Sequence, residues 1–275
     1  NITKAHPRHF LTLSLIFLFP LSFSILFSPT LFHLFKPHTT NSTSILYSLF
    51  TFVFSNCGTI SITYSVFPFF HAQPVNLQSA INSISISFLP LLATTVVSQV
   101  IFFFISLFYA LLLALLIGGA ALIDVTIPCS SPYFIAFFVA LPLLLVLIYL
   151  QVNWILVPAI VVVESCWGFE PLRRSARLIK GMKGVALSSF FLYGFVSGLF
   201  VLNTLFVIVT TGYDGVTENW VTVVRNWVII VTYSYLIAMV MLSNIALNMV
   251  LYIYCKANHG GGIVEEFGNE YASLP

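Results

Sequence analysis

Between Lys36 and Asp124 no residue carries a formal charge, which leaves 87 consecutive neutral positions, 37 to 123. A water-soluble domain places a charged residue at about one position in four, so a stretch of this length cannot form the surface of such a fold. Four further intervals behave the same way: 9 to 35, 125 to 163, 184 to 213 and 226 to 255. The composition agrees, with 59% apolar and only 7% charged residues in a chain of 275. Little sequence is left for an aqueous domain, and the expected class is an all-α, polytopic transmembrane bundle forming one domain over residues 1 to 275.

A spanning helix needs about 20 apolar residues, and the turn-rich breaks within the neutral intervals divide them into six spans. Their expected limits are 10 to 35, 45 to 69, 88 to 122, 133 to 165, 184 to 210 and 223 to 255. Backbone groups in lipid must be satisfied within the segment, and these runs lack the alternation of a barrel strand, so all six are expected to be helical. The first run is read as a retained span rather than a signal peptide, because it is long and no small-residue cleavage site follows it. Bends are expected at Pro20, Pro29, Pro90, Pro142 and Pro158, where a backbone donor is missing.

With six spans both termini share one side. Lys4, Arg8, Arg173, Arg174, Arg177, Lys180, Lys183 and Lys256 fall on that side, against Lys36 and Arg225 on the other. The positive-inside rule then places the N- and C-termini in the cytoplasm. The sequon Asn41-Ser-Thr would face the opposite side, close to the membrane.

Most of the positive charge arrives in one stretch, Trp154 to Gly184. Its second half reads as a short elbow helix: Pro171 suits the first helical position, Glu170 sits at the positive end, and Gly181 suits the stop. At helical spacing Leu172, Ser175, Ala176, Ile179 and Met182 share one face, and Arg173, Arg174, Arg177 and Lys180 share another. Such a helix is expected to lie in the membrane interface, with Arg173, Arg174, Arg177, Lys180 and Lys183 as a basic patch toward lipid, including anionic lipid. Glu164 falls at the end of the fourth span, where an unpaired carboxylate is costly. Arg173, Arg174 and Arg177 are its expected ion-pair partners. The loop after the second span, with Pro74 and the dipeptide Ser79-Ala80, has a similar plan without the charge. It suggests that spans two and three and spans four and five are parallel copies.

Amides recur inside the spans: Gln99, Gln151, Asn153, Asn203, Asn244 and Asn248. They read either as hydrogen bonds between helices or as the lining of a polar cavity. Trp154, Trp167, Trp220 and Trp227 read as interfacial anchors, and Gly194 with Gly198 as a close helix contact. The four cysteines are scattered without a metal or redox spacing, so they read as buried apolar filler. No metal site and no cofactor are expected. The small net charge of +2 gives no nucleic-acid footprint. The usual hydrolase, nucleotide and metalloprotease motifs are absent; the segment Gly194 to Gly198, with Ser197, has the wrong spacing for a serine nucleophile.

The pattern Pro158, Glu164, Gly168, Arg174-Ser175, Leu178, Lys180-Gly181 resembles that of a plant group of six-span membrane proteins. This group is distantly similar to bacterial YciC-like proteins and to the membrane portion of some glycerophosphodiester phosphodiesterases. The opening His6-Pro-Arg-His-Phe10-Leu and Pro20-Leu-Ser-Phe23 are also similar to the plant members. The resemblance implies a six-helix bundle and no particular activity, and the phosphodiesterase catalytic domain has no counterpart here.

Together these readings lead to a non-enzymatic integral membrane protein of a eukaryotic endomembrane, such as the endoplasmic reticulum, or of the plasma membrane. It would act as an accessory or scaffold subunit beside other membrane proteins. The alternative is a transporter or lipid-handling protein with a polar intramembrane cavity, and a more distant one an enzyme using Glu164 with His71.

Overall fold

The computed structural model of the chain describes residues 7–34, 40–70, 77–122, 132–210 and 220–258, and every regular element among them is helical. In chain order these are α1 (Pro7–Leu13), a π turn (Ser14–Leu18), α2 (Phe19–Leu34), α3 (Thr40–Phe70), α4 (Leu77–Leu122), α5 (Pro132–Asn153), α6 (Val157–Glu164), α7 (Glu170–Leu178), α8 (Lys183–Thr210) and α9 (Trp220–Asn258). Six stretches are long and apolar enough to cross a bilayer: Phe10–Ser28, Ser44–Pro68, Gln78–Leu115, Ala140–Glu164, Lys183–Val207 and Val224–Asn258. Their number and order match the sequence reading and are compatible with a multi-pass membrane protein. Lys4, Lys36, His71, Asp124, Cys129, Asp214 and Glu218 lie outside the described residues.

The core is built by the first, second, fourth and last spans. Phe10, Leu13, Ile62, Leu156, Ile160 and Tyr252 are among its nearly inaccessible side chains and form one cluster. The third span is peripheral. Phe103, Phe104, Leu107, Phe108, Leu111 and Leu115 of α4 are all exposed, an arrangement that water would penalise and lipid would not. At about 1.5 Å per residue the 46 residues of α4 extend about 69 Å, more than twice a hydrocarbon core of about 30 Å.

Local sequence explains where the helices break and where they do not. Pro20 has no N–H and would crowd the carbonyl four residues back. The chain answers with the π turn just before it, in which the Phe19 N–H bonds the Ser14 carbonyl. Helix runs unbroken through Pro90 and Pro142, while Pro158 stands at the start of α6, after the interruption at residues 154–156. Among the prolines expected to bend the chain, Pro158 coincides with a break between helices and Pro20 follows the π turn.

Two readings are corrected. The segment after the second span is no elbow: helix α4 begins at Leu77 and carries on into the third span, because no glycine stops it as Gly181, at φ +100°, follows α7. The buried position is Ala80 there and Ser175 in the elbow, so Ser79-Ala80 and Ser175-Ala176 are out of register and the parallel-copy reading loses its support. Gly194 and Gly198 make no close contact within the chain, since a Cβ at either would meet nothing within 4 Å, so the reading narrows to a contact with another chain. The tight glycine is Gly58, where a Cβ would come within 3.1 Å of Leu18 Cδ2 and 3.3 Å of Phe17 Cβ. It lets α3 pack against the π turn.

Candidate functional site

Two polar assemblies interrupt the apolar bundle. The first ties the elbow together. α6 ends at Glu164 because Ser165 takes a left-handed conformation, φ 51°, and Gly168 follows at φ 78°. This reverses the chain into α7. There the expected amphipathic division holds: Leu172, Ser175 and Ile179 are buried, and Arg173, Arg174, Arg177 and Lys180 are exposed.

Of the three arginines expected to meet Glu164, Arg174 does so, its guanidinium 2.5 Å from Oε2, with a second bond of 3.1 Å to Glu170. Hydrogen bonds to these two carboxylates push the Arg174 guanidinium above its already high range. Arg177 lies 3.9 Å from Glu170 instead, and Arg173 is exposed on α7. Glu164 Oε1 is met from α9 by the Tyr252 hydroxyl at 2.7 Å and by Lys256 Nζ at 3.3 Å. One carboxylate, with 12% of its side chain accessible, therefore joins α6, α7 and α9 at one end of the bundle. The sequence reading missed Tyr252 and Lys256, although their i,i+4 spacing at the end of the last span puts both on one face. Lys183 reaches Tyr149 of α5, with Nζ 3.4 Å from the hydroxyl and 5.0 Å from the ring centre.

Ser175 was placed on the buried face, but its partner was not foreseen. Where α5 breaks, the Val157 N–H turns to the Trp154 carbonyl at 3.1 Å, and the Asn153 carbonyl loses its helical donor. Ser175 Oγ supplies the replacement at 2.6 Å, fully buried. On the other side of the elbow the Gly168 N–H bonds Thr94 Oγ1 of α4 at 3.1 Å. A broken helix in a bundle needs such substitutes.

The second assembly is a groove of about 330 Å³ between the α5/α6 break, α8 and α9. Its polar lining comes from Gln151, Tyr193, Ser197, Asn244 and Asn248, and its apolar lining includes Trp154, Pro158, Phe190 and Met241. Gln151 and Gly194 are exposed, so the groove opens on the outer surface of the bundle. Gln151 stands near the middle of the span Ala140–Glu164, and Tyr193 to Ser197 near the middle of Lys183–Val207. Asn244 and Asn248 share a face of α9 as their spacing requires, and their amides approach at 3.5 Å. Asn248 Oδ1 is nonetheless buried without a hydrogen-bond partner.

The remaining amides lie elsewhere. Asn153 is buried, its Nδ2 donating to the Tyr149 carbonyl at 2.8 Å. Gln99 is exposed on α4. Asn203 is exposed on α8 and accepts from the Tyr233 hydroxyl at 3.4 Å. Trp154 lines the groove near the middle of a span rather than anchoring an end, and Trp227 stacks on Phe23 and Phe27, whereas Trp167 and Trp220 are widely exposed. Cys255 is buried with Sγ 3.5 Å from Met182 Sδ; Cys57 and Cys166 are half-buried. Among the described residues no three His, Cys, Asp or Glu side chains converge as a metal site would require.

Residues 38–267 match a family model described as a domain of unknown function, DUF8558. The chain belongs to the DUF8558 family. The match takes in the second to sixth spans, the elbow and the groove, so both polar assemblies lie within the DUF8558 region. No curated protein and no solved structure matches the chain.

Proposed function

We propose that this DUF8558 protein is a lipid-handling or transporting membrane protein that holds an amphiphile in the groove between α5/α6, α8 and α9. The observation that carries this reading is a polar-lined groove at mid-span that opens on the apolar surface of the bundle. An exposed Gln151 and a buried, unpaired Asn248 Oδ1 are both costly in hydrocarbon. A bound molecule that brings a polar head to Gln151 and leaves its apolar body in the bilayer removes the first of these costs. Amides serving only to join helices would be paired with one another. The accessory-subunit reading rests on the short loops, the helix-packing residues and the basic elbow, and the groove favours the ligand-binding alternative.

In this reading the six spans cross a eukaryotic endomembrane or the plasma membrane with both termini cytoplasmic. The joining of Glu164 to Arg174 and Lys256 supports that arrangement, since the elbow and the end of the last span meet at one end of the bundle. Arg173, Arg177, Lys180 and Lys183 would then face anionic headgroups, each contributing about 1 kcal/mol of attraction, with the exposed Trp167 and Phe169 beside them. The similarity of the elbow to plant six-span proteins, YciC-like proteins and phosphodiesterase membrane portions supports the bundle. We assign no bond-making chemistry and no nucleic-acid partner.

The test is Gly194→Leu, which puts a branched side chain on a residue lining the groove, where a Cβ meets nothing within 4 Å. In native mass spectrometry after mild-detergent extraction, the unsubstituted protein should retain a lipid that the variant has lost. Equal retention by both would refute the reading.

A further inference from the structure

We infer that the groove selects an electrically neutral amphiphile whose head carries at least one hydroxyl or amide donor. This inference rests on the groove reading above and adds the chemical class of the ligand. Every polar side chain lining the groove is a neutral amide, hydroxyl or phenol. A phosphate, carboxylate or ammonium head would be stranded there without a counter-charge, in the part of the bundle where an isolated ion is most costly. The basic side chains that would welcome an anion are instead at the elbow end of the bundle, where Arg174 of α7 is committed to Glu164 and Glu170, and Lys256 of α9 to Glu164.

The donor requirement comes from Gln151, whose side chain lines the groove and is exposed. A bare amide carbonyl can be satisfied only by an O–H or N–H, so an ether or ester head alone does not suffice. Asn244 and Ser197 offer both donors and acceptors around it. Size limits the head as well. A volume of about 330 Å³ equals about eleven waters at their liquid volume of about 30 Å³, which suits a glycerol-sized head with its first methylenes, or the hydroxyl end of a sterol, but not a glycan. The remaining apolar body would lie in the bilayer outside the mouth. The shared chemistry is a neutral hydroxyl-bearing lipid, as in a diacylglycerol or a sterol.

The full chain in phosphatidylcholine nanodiscs is offered dioleoylglycerol, cholesterol and dioleoylphosphatidate in parallel, and retention is read by native mass spectrometry. At least one of the two hydroxyl lipids should be retained over phosphatidate. Gln151→Leu should lower that retention about tenfold, the value of one hydrogen bond, while leaving the thermal midpoint of the ligand-free protein unchanged or higher. A merely structural amide would give a fall in the midpoint and no change in retention, which would overturn the inference. Gly184→Leu, a substitution of the same kind into open space outside the groove, should change nothing. Preference for dioleoylglycerol or for cholesterol identifies the apolar body, and either supports the inference. Phosphatidate bound equally well and lost in Gly194→Leu overturns the neutral class but leaves the groove reading standing. No lipid responding to Gly194→Leu overturns the groove reading itself.

Discussion

A carbonyl freed by a broken helix and a hydroxyl that recovers it explain why a serine occupies the centre of the elbow. Ser175 is fully buried and its one long-range bond is to the Asn153 carbonyl. Ser175→Ala should therefore leave a buried acceptor unpaired and cost about 1–3 kcal/mol, read as a lower unfolding midpoint in detergent with the helical circular dichroism unchanged. Unchanged stability would mean that another donor reaches Asn153. That Ser175 lies on the buried face was legible from its spacing with Leu172 and Ile179. Its partner was not, because pairing with a residue 22 positions earlier depends on how α7 folds back under α5, which no local pattern encodes. The same holds for Glu164. Its need for a cation was legible from a carboxylate at a span end, and Arg174 was among those expected. Tyr252 and Lys256 arrive from the far end of the chain, and only the packing of α9 brings them there.

Among the elements, the elbow shows how much depends on single glycines. Gly181, at φ +100°, lies between α7 and α8, and an L side chain there is strained whatever space surrounds it. Gly181→Ala should cost about 1–2 kcal/mol, whereas Gly184→Ala, inside α8 and in open space, should be neutral or stabilising by up to about 1 kcal/mol. Paired thermal-unfolding curves that moved together would show that the turn does not require the left-handed region. Proline and glycine spacing gave the start and stop of α7 from sequence, because both act through the local backbone. The same kind of pattern misled after the second span, where Pro74 and a small amphipathic segment suggested a second elbow. Nothing between Leu77 and Pro90 interrupts the helix, and α4 runs straight into the span. Gly194 and Gly198 meet no neighbour within the chain for a related reason: spacing tells which residues share a face and leaves open what that face meets.

For the molecule as a whole, charge distribution alone defined the class, since 87 neutral positions leave no choice of solvent for so much of the chain. The six long apolar helices follow in the expected order. The groove was half legible: Gln151, Asn244 and Asn248 line it, but Gln99, Asn153 and Asn203, from the same set of amides, do not. The helix break at residues 154–156 and the missing side chain of Gly194 decide which amides face one space, and both are properties of the assembled bundle. The most direct measurement of ligand binding there is photo-crosslinking in native membranes, with a photoreactive aromatic residue placed in turn at Tyr193, an aromatic that already lines the groove, and at Leu107, on the exposed face of α4. A groove that holds a ligand should yield one lipid species strongly enriched at Tyr193 over the bulk mixture captured at Leu107. The same lipid mixture at both positions would contradict it.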